Sequence, residues 1–123
     1  IGHGLLALVA VQPDDTQARA ARLLERLLGY RVFDDGEGRM NRSLAEVAGG
    51  LLLVSQFTLA ADTRSGMRPG FSTAAAPALG RELFEHLLGL AQAAHPTVAS
   101  GRFAAHMQVR LVNDGPETVW LSA

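Results

Sequence analysis

Three hydrogen-bonding side chains, Ser55, Gln56 and Thr58, crowd around Phe57 where the apolar run Leu51–Val54 ends. An unpaired buried polar group costs about 1–3 kcal/mol. A strand end that gathers three of them either satisfies its own backbone through them or points them at a ligand. A second stretch, Asn113-Asp114-Gly115-Pro116, interrupts another apolar run. Asp-Gly alone gives a plain hairpin turn, but proline directly after glycine departs from the tight-hairpin pattern and makes a cis bond accessible. The four histidines, His3, His86, His95 and His106, form neither HExxH nor a close pair of metal-ligand spacing, so no metal and no cofactor is expected. His86, beside Glu85, reads as a surface residue of a helix. The sequence has no GxSxG, GxGxxG or Walker motif. Asp34-Asp35 before Gly36 fits turn formation rather than acid–base work.

The elements that must carry these residues follow from periodicity. Leu5–Val11 has the length of a strand and ends at the turn Gln12–Asp15. Asp14 or Asp15 is placed to cap a helix in which Ala18, Ala21, Leu24, Leu27 and Leu28 recur at helical spacing, and Gly29 stands where a left-handed terminal residue is expected. Tyr30–Phe33 predicts a second strand and Leu51–Phe57 a third. Ala60–Ala76 has no clear period, and structureless stretches of this length in small domains are often functional. A second amphipathic helix starts near Pro77, with Leu79, Leu83, Leu87 and Leu90 on one face. Further strands are expected at Val98–Phe103, Met107–Asn113 and Thr118–Leu121. Alternation of strands and helices predicts a single α/β domain over residues 1–123, a mixed sheet with two main flanking helices.

Composition narrows the function. A chain of 123 residues, 48% of them apolar, can bury roughly two thirds of its unfolded surface. With no cysteine there is no disulfide framework, thiol nucleophile or thiolate metal site, and a cytoplasmic setting is expected. No apolar run approaches the ~20 residues of a membrane span. All eleven basic residues are arginine, mainly the mark of an arginine- and alanine-rich genome, although arginine is also the better bidentate phosphate ligand. The net charge of −1 supplies no long-range pull, so a nucleic acid must be held locally. A chain that opens on Ile1 rather than methionine is expected to lack an N-terminal piece.

The strings "VSQFTLAADTRSGMRPGFS" and "GRFAAHMQVRLVNDGPETVWL", with "LLALVAV" and "RLLERLLGYRVFDDGEGRMN" before them, resemble the D-aminoacyl-tRNA deacylases, the D-tyrosyl-tRNA deacylase family. The resemblance covers essentially the whole chain, and "SQFTL" with "NDGP" in that order is its specific part. It implies a barrel-like core whose usual first strand is lacking here. It implies hydrolysis of the ester of D-aminoacyl-tRNA, and of glycine mischarged on alanine tRNA, with L-aminoacyl esters left intact. Ser55, Gln56, Phe57 and Thr58 are then the catalytic segment, with the Gln56 and Phe57 N–H groups as oxyanion donors. A water assisted by the ribose hydroxyl is the expected nucleophile, and Thr58 an orienting group, because no base neighbours it in sequence. Gly115 and Pro116 would form a cis pair that crosses into the partner's active site of a homodimer and selects chirality. Met67, Arg68, Phe103 and Met107 are candidate pocket or tRNA contacts, with Arg39, Arg42, Arg64 and Arg102 as further arginines for the RNA. Two other readings stay open at this point: a non-catalytic dimeric RNA-binding module of the same fold, and a small esterase for free D-amino acid esters.

Overall fold

The computed structural model describes residues 1–123. In chain order the elements are β1 (Gly4–Val9), α1 (Gln17–Gly29), β2 (Arg31–Asp34), β3 (Met40–Ser43), α2 (Leu44–Val47), β4 (Gly50–Ser55), a 3-10 turn (Phe57–Ala60), α3 (Pro77–Ala94) and β5 (Val98–Ser100). The α/β class with two main helices is as expected, and the strands form two open sheets. One is parallel in the order β1-β4-β5; the other is the antiparallel pair β2-β3.

β4 is apolar on both faces, the pattern of a strand buried within a parallel sheet. Leu51 and Leu53 are completely buried and meet Leu24 and Leu27 of α1 and Phe84, Leu87 and Ala91 of α3. Successive side chains alternate across a strand, so Leu52 and Val54 turn to the opposite face, which carries Ser100 to Arg102 and Ala105 to Arg110. At the base of the sheet Gly4 lies opposite Gly50. A Cβ on Gly4 would sit 1.9 Å from the Gly50 carbonyl oxygen, so only glycine permits this approach. His95, buried at the end of α3, bonds through Nε2 to the Gly49 carbonyl at 2.6 Å and ties the helix to the start of β4.

Several local expectations need correction. The cap of α1 is Thr16, whose hydroxyl accepts from the Arg19 N–H, rather than Asp14 or Asp15. Asp15 instead receives the Gln12 N–H at 2.8 Å and pairs with Arg19. Gly29 is the last helical residue, not a left-handed terminator, because the chain leaves directly in the extended conformation at Tyr30. β3 and α2 carry little apolar periodicity and were not legible; α2 is set by a capping box between Ser43 and Glu46. Asp34 and Asp35 do build a turn, accepting from the Gly36 and Glu37 N–H groups at 2.7 and 2.8 Å.

The largest difference lies at the C-terminal end. Of the strand expected at Val98–Phe103 only Val98–Ser100 forms, and Met107–Asn113 and Thr118–Leu121 join no sheet. Alternating apolar residues supply strand propensity, but a strand also needs a neighbour for its N–H and C=O groups. Here the segments pair with no strand, and Leu111, Val112, Val119 and Trp120 remain exposed.

Candidate functional site

β4 delivers its last residue, Ser55, to the edge of the folded core, and the backbone then changes conformation. The Gln56 N–H donates to the Val9 carbonyl at 2.7 Å, extending the parallel ladder one residue past the strand. This corrects the expectation that Gln56 supplies an oxyanion donor, since its N–H is already used. The first N–H groups of a helical turn have no partner within it, and the Phe57 and Thr58 N–H groups make no hydrogen bond in the chain. These two are therefore the free donors of the segment.

The Gln56 side chain closes over the same turn. Its amide Nε2 donates to Thr58 Oγ1 at 2.5 Å. One lone pair of the hydroxyl is thereby occupied, and no basic side chain hydrogen-bonds to it. Its O–H remains free to donate outward. Phe57 is 58% exposed and packs against Phe71, ring centroids 5.0 Å apart and planes tilted by 59°. A solvent-facing aromatic pair next to free N–H donors offers both a face for a nucleobase and a cradle for a developing negative charge.

The stretch Ala60–Ala76 is irregular, as expected, yet it is tied down at four places. Asp62 and Gly70 exchange N–H···O bonds of 2.7 and 2.9 Å, Thr73 Oγ1 donates to the Ala60 carbonyl, and the Ala75 N–H donates to the Val11 carbonyl. Arg64 clamps the Asp62 carboxylate through Nε and Nη2 at 2.9 and 2.8 Å. These side-chain bonds, reinforced by the Arg64 N–H, hold the Asp62 carboxyl below its usual range, and the same contact raises the Arg64 guanidinium. Arg64 is thus committed to Asp62, and Arg42 donates to the Glu46 carbonyl at 3.3 Å. Arg39, Arg68 and Arg102 keep their guanidinium groups free of protein partners.

The other candidates separate. Gly115-Pro116 is a cis peptide on an exposed turn bracketed by Asn113 Nδ2 donating to Thr118 Oγ1 at 3.2 Å. Gly115 lines a broad cavity of about 1860 Å³ together with Leu59 and Ala60, the residues that follow Thr58. Ser55 to Thr58 do not line that cavity, and no hydrogen bond joins them to Gly115 or Pro116. Met67 is fully exposed and borders neither cavity. Phe103 was expected at the pocket but turns toward α3, where it packs near Phe84 and under the Arg81 guanidinium at 4.9 Å from its ring centre. Met107 does line a cavity, the smaller one beneath Leu52 and Val54. The Gln56–Thr58 bond and the Phe57–Phe71 pair were missed from sequence. The two-residue spacing of Gln56 and Thr58 gave the former a signal only once a tight turn was known.

The family model for D-Tyr-tRNA(Tyr) deacylase matches residues 1–122. The chain is 69% identical over 121 residues to a D-aminoacyl-tRNA deacylase of Pseudomonas entomophila, covering 98% of this chain and 83% of the relative. It is 67% identical over 123 residues to that of Azotobacter vinelandii, covering the whole chain and 85% of the relative. Among solved structures it resembles the c-Myc DNA Unwinding Element Binding Protein, with a TM-score of 0.88 and 30% identity over 94% of this chain and 79% of the other. A probable eukaryotic D-amino acid tRNA deacylase shares the fold at a TM-score of 0.75 and 19% identity, over 92% of this chain and 81% of the other.

Proposed function

The chain belongs to the D-Tyr-tRNA(Tyr) deacylase family and is an enzyme of that family, a D-aminoacyl-tRNA deacylase; within that activity we propose a division of labour between its two motifs. The Ser55–Thr58 turn is the reaction centre. Water adds to the ester carbonyl, the carbonyl oxygen becomes an oxyanion, and the Phe57 and Thr58 N–H groups stabilise it. Collapse of the tetrahedral intermediate breaks the bond to the ribose oxygen, which takes a proton and leaves as free tRNA beside the D-amino acid. The ribose hydroxyl next to the ester assists the water. Thr58, held by Gln56, orients the reacting groups without forming a covalent bond. The Phe57–Phe71 pair receives the terminal base.

The single observation that carries this reading is the pair of unpartnered N–H groups at Phe57 and Thr58, beside a hydroxyl already fixed by Gln56. Donors that cost no reorganisation at the moment of reaction are worth several kcal/mol in acyl transfer.

Chirality belongs to Gly115-Pro116. In this reading two chains pair, and each Gly-Pro turn reaches the partner's reaction centre. The exposure of Val112 (94%) and Trp120 (74%), next to that turn, supports a surface that a second copy covers. A rigid backbone projection excludes an L side chain by contact, a steeper discrimination than the roughly 1–3 kcal/mol of one methylene. Glycine, with no side chain, passes. Side-by-side deacylation of D-, L- and glycyl-tRNA by the purified protein tests the proposal. Equal rates on D and L substrates refute the chiral role, and full activity from a monomer in sedimentation refutes the crossing.

A further inference from the structure

The sheet face opposite the helices holds a second cavity, of about 390 Å³, and its chemistry is not that of the reaction centre. Its floor is Leu52 and Val54 of β4; its walls come from Ser100 to Gly101 and from Arg102 and Ala105 to Arg110. The chain folds back on itself to make them. The Ala105 N–H donates to the Arg102 carbonyl at 3.2 Å, Ala104 takes the left-handed conformation at φ 64°, and Met107 returns against Gly101. The return is so close that a Cβ on Gly101 would lie 2.5 Å from the Met107 sulfur.

The charge of this lining is one-sided. Its ionisable residues are Arg102, His106 and Arg110, and no aspartate or glutamate borders it. The larger cavity, which shares Arg110 with it, is of mixed charge, bordered by Asp15, Asp34, Asp114 and Glu117 as well as Arg19. Most arginines of the chain are already used: Arg19, Arg22, Arg64 and Arg81 sit in ion pairs, and Arg26, Arg31 and Arg42 donate to carbonyl or amide oxygens. Arg102 has no such partner, and Arg110 has only a long 3.5 Å contact to Gln108. Each guanidinium carries five donors in a rigid fork that matches a phosphate or carboxylate. Two of them, unneutralised and sharing one concave wall with the Ser100 hydroxyl and the Gln108 amide, describe a receptor for an oxyanion. A cleft lined by one sign of charge also concentrates the field within it, even on a molecule whose net charge is near zero.

We propose that the Arg102–His106–Arg110 cavity binds backbone phosphate of the tRNA acceptor end, next to the nucleotide whose ester is cleaved. Position supports RNA phosphate over a free anion: Val54, on the cavity floor, directly precedes Ser55. The wall therefore lies against the same strand, one residue before the turn at which the terminal ester would be held. The proposal rests on the reading of that turn as the reaction centre, and it deepens it by naming how the RNA is held.

The test measures binding apart from hydrolysis. Fluorescence anisotropy of uncharged tRNA is recorded against salt for the wild-type protein, for R102Q/R110Q, and for R102K/R110K, which keeps the charge. Neutralised phosphate contacts appear as a slope of log affinity against log salt, about 0.7–0.9 per phosphate. R102Q/R110Q is expected to bind roughly tenfold more weakly, with a slope shallower by about one to two, and the lysine variant to recover most of the slope. The single variants R102Q and R110Q, each at an exposed position, give intermediate values if the double variant folds poorly. Wild-type affinity and slope in the glutamine variants overturn the proposal, as does a wild-type protein that does not bind tRNA. Inorganic phosphate is the second arm. If it binds calorimetrically and is lost in R102Q/R110Q while tRNA binding is unchanged, the cavity serves a free anion and the RNA assignment falls. A protein that binds tRNA through these arginines but fails to cleave D-aminoacyl-tRNA refutes the catalytic reading and leaves the phosphate site standing.

Discussion

The two motifs that carry the proposed chemistry are held in opposite ways. Ser55–Thr58 ends the central strand of a parallel sheet; Val9, Leu51 and Leu53 around it are buried, and the Gln56 N–H is fastened to the neighbouring strand. Gly115-Pro116 rides on a segment without ladder hydrogen bonds, and its bracket is a single contact between Asn113 and Thr118. Groups that stabilise a transition state need placement before the substrate arrives, and a strand flanked on both edges supplies it. On the proposed pairing of two chains, a selectivity element that acts across the interface needs no such support from its own chain, because a partner would complete its surroundings.

The contrast can be broken most directly through stability. Leu53→Ala empties a fully buried position under both helices and is expected to cost about 2–5 kcal/mol. Val112→Ala, at a position 94% exposed, should stay within about 0.5 kcal/mol for the isolated chain. Urea midpoints at low protein concentration measure both. Comparable losses at the two sites would mean that the C-terminal segment shares the core's cooperativity and that the distinction is false.

Activity sharpens it next. If the backbone donors of Phe57 and Thr58 do most of the work, Thr58→Ala lowers kcat by roughly tenfold, less than the 10²–10³ lost with an oxyanion donor. Thr58→Ser should stay within about threefold of wild type, since the hydroxyl that Gln56 grips is retained. Single-turnover rates on D-aminoacyl-tRNA decide it. An aminoacyl adduct on Thr58 trapped by mass spectrometry would sink the water mechanism. Asn113→Ala comes after these. It removes one exposed side-chain bond, so its cost is below about 1 kcal/mol. A larger loss in thermal melting would show that the turn is anchored more firmly than that single bond implies.

How far the sequence alone reaches follows the same division. β1, α1, β4 and α3 were legible because burial leaves a period: Leu24 and Leu27 repeat at helical spacing, and Leu51–Val54 is too apolar for anything but a buried strand. Propensity failed where a partner decides. Met107–Asn113 has the residues of a strand but pairs with none, and β3 forms from Met40–Ser43, which has almost no apolar signal, because β2 lies alongside it. At the proposed reaction centre the residue types were legible and their bonding was not. Nothing in "SQFT" says that the Gln56 N–H continues a ladder to Val9 while the Phe57 N–H stays free; that depends on register, which is a property of two strands. The conformation of Gly115-Pro116 came from resemblance, since its residues alone leave both isomers open.

The smallest expected effect concerns the loop between these regions. Asp62 is held below its ordinary value of 3.8 by the Arg64 side chain and N–H, so the ionised form is the one the fold favours. A carboxyl with a depressed folded pKa contributes stability that is complete above its unfolded value and disappears as pH falls through the folded one. Asp62→Asn should therefore differ from wild type by a constant amount at pH 5 to 8, and the difference should close only below about pH 3.8. Arg64 is exposed and Asp62 only partly buried, so the change belongs to local opening rather than to global melting. Amide exchange at Asp62 and Gly70, whose N–H groups are paired with each other's carbonyls, reads that opening directly. Those backbone bonds and the Thr73–Ala60 contact survive the substitution, which keeps the expected effect small. A difference that varies between pH 5 and 8 would exclude the carboxylate as its source. A matching fall in the global melting temperature would show that Ala60–Ala76 unfolds together with β4, and that the loop beside the reaction centre is part of the rigid region.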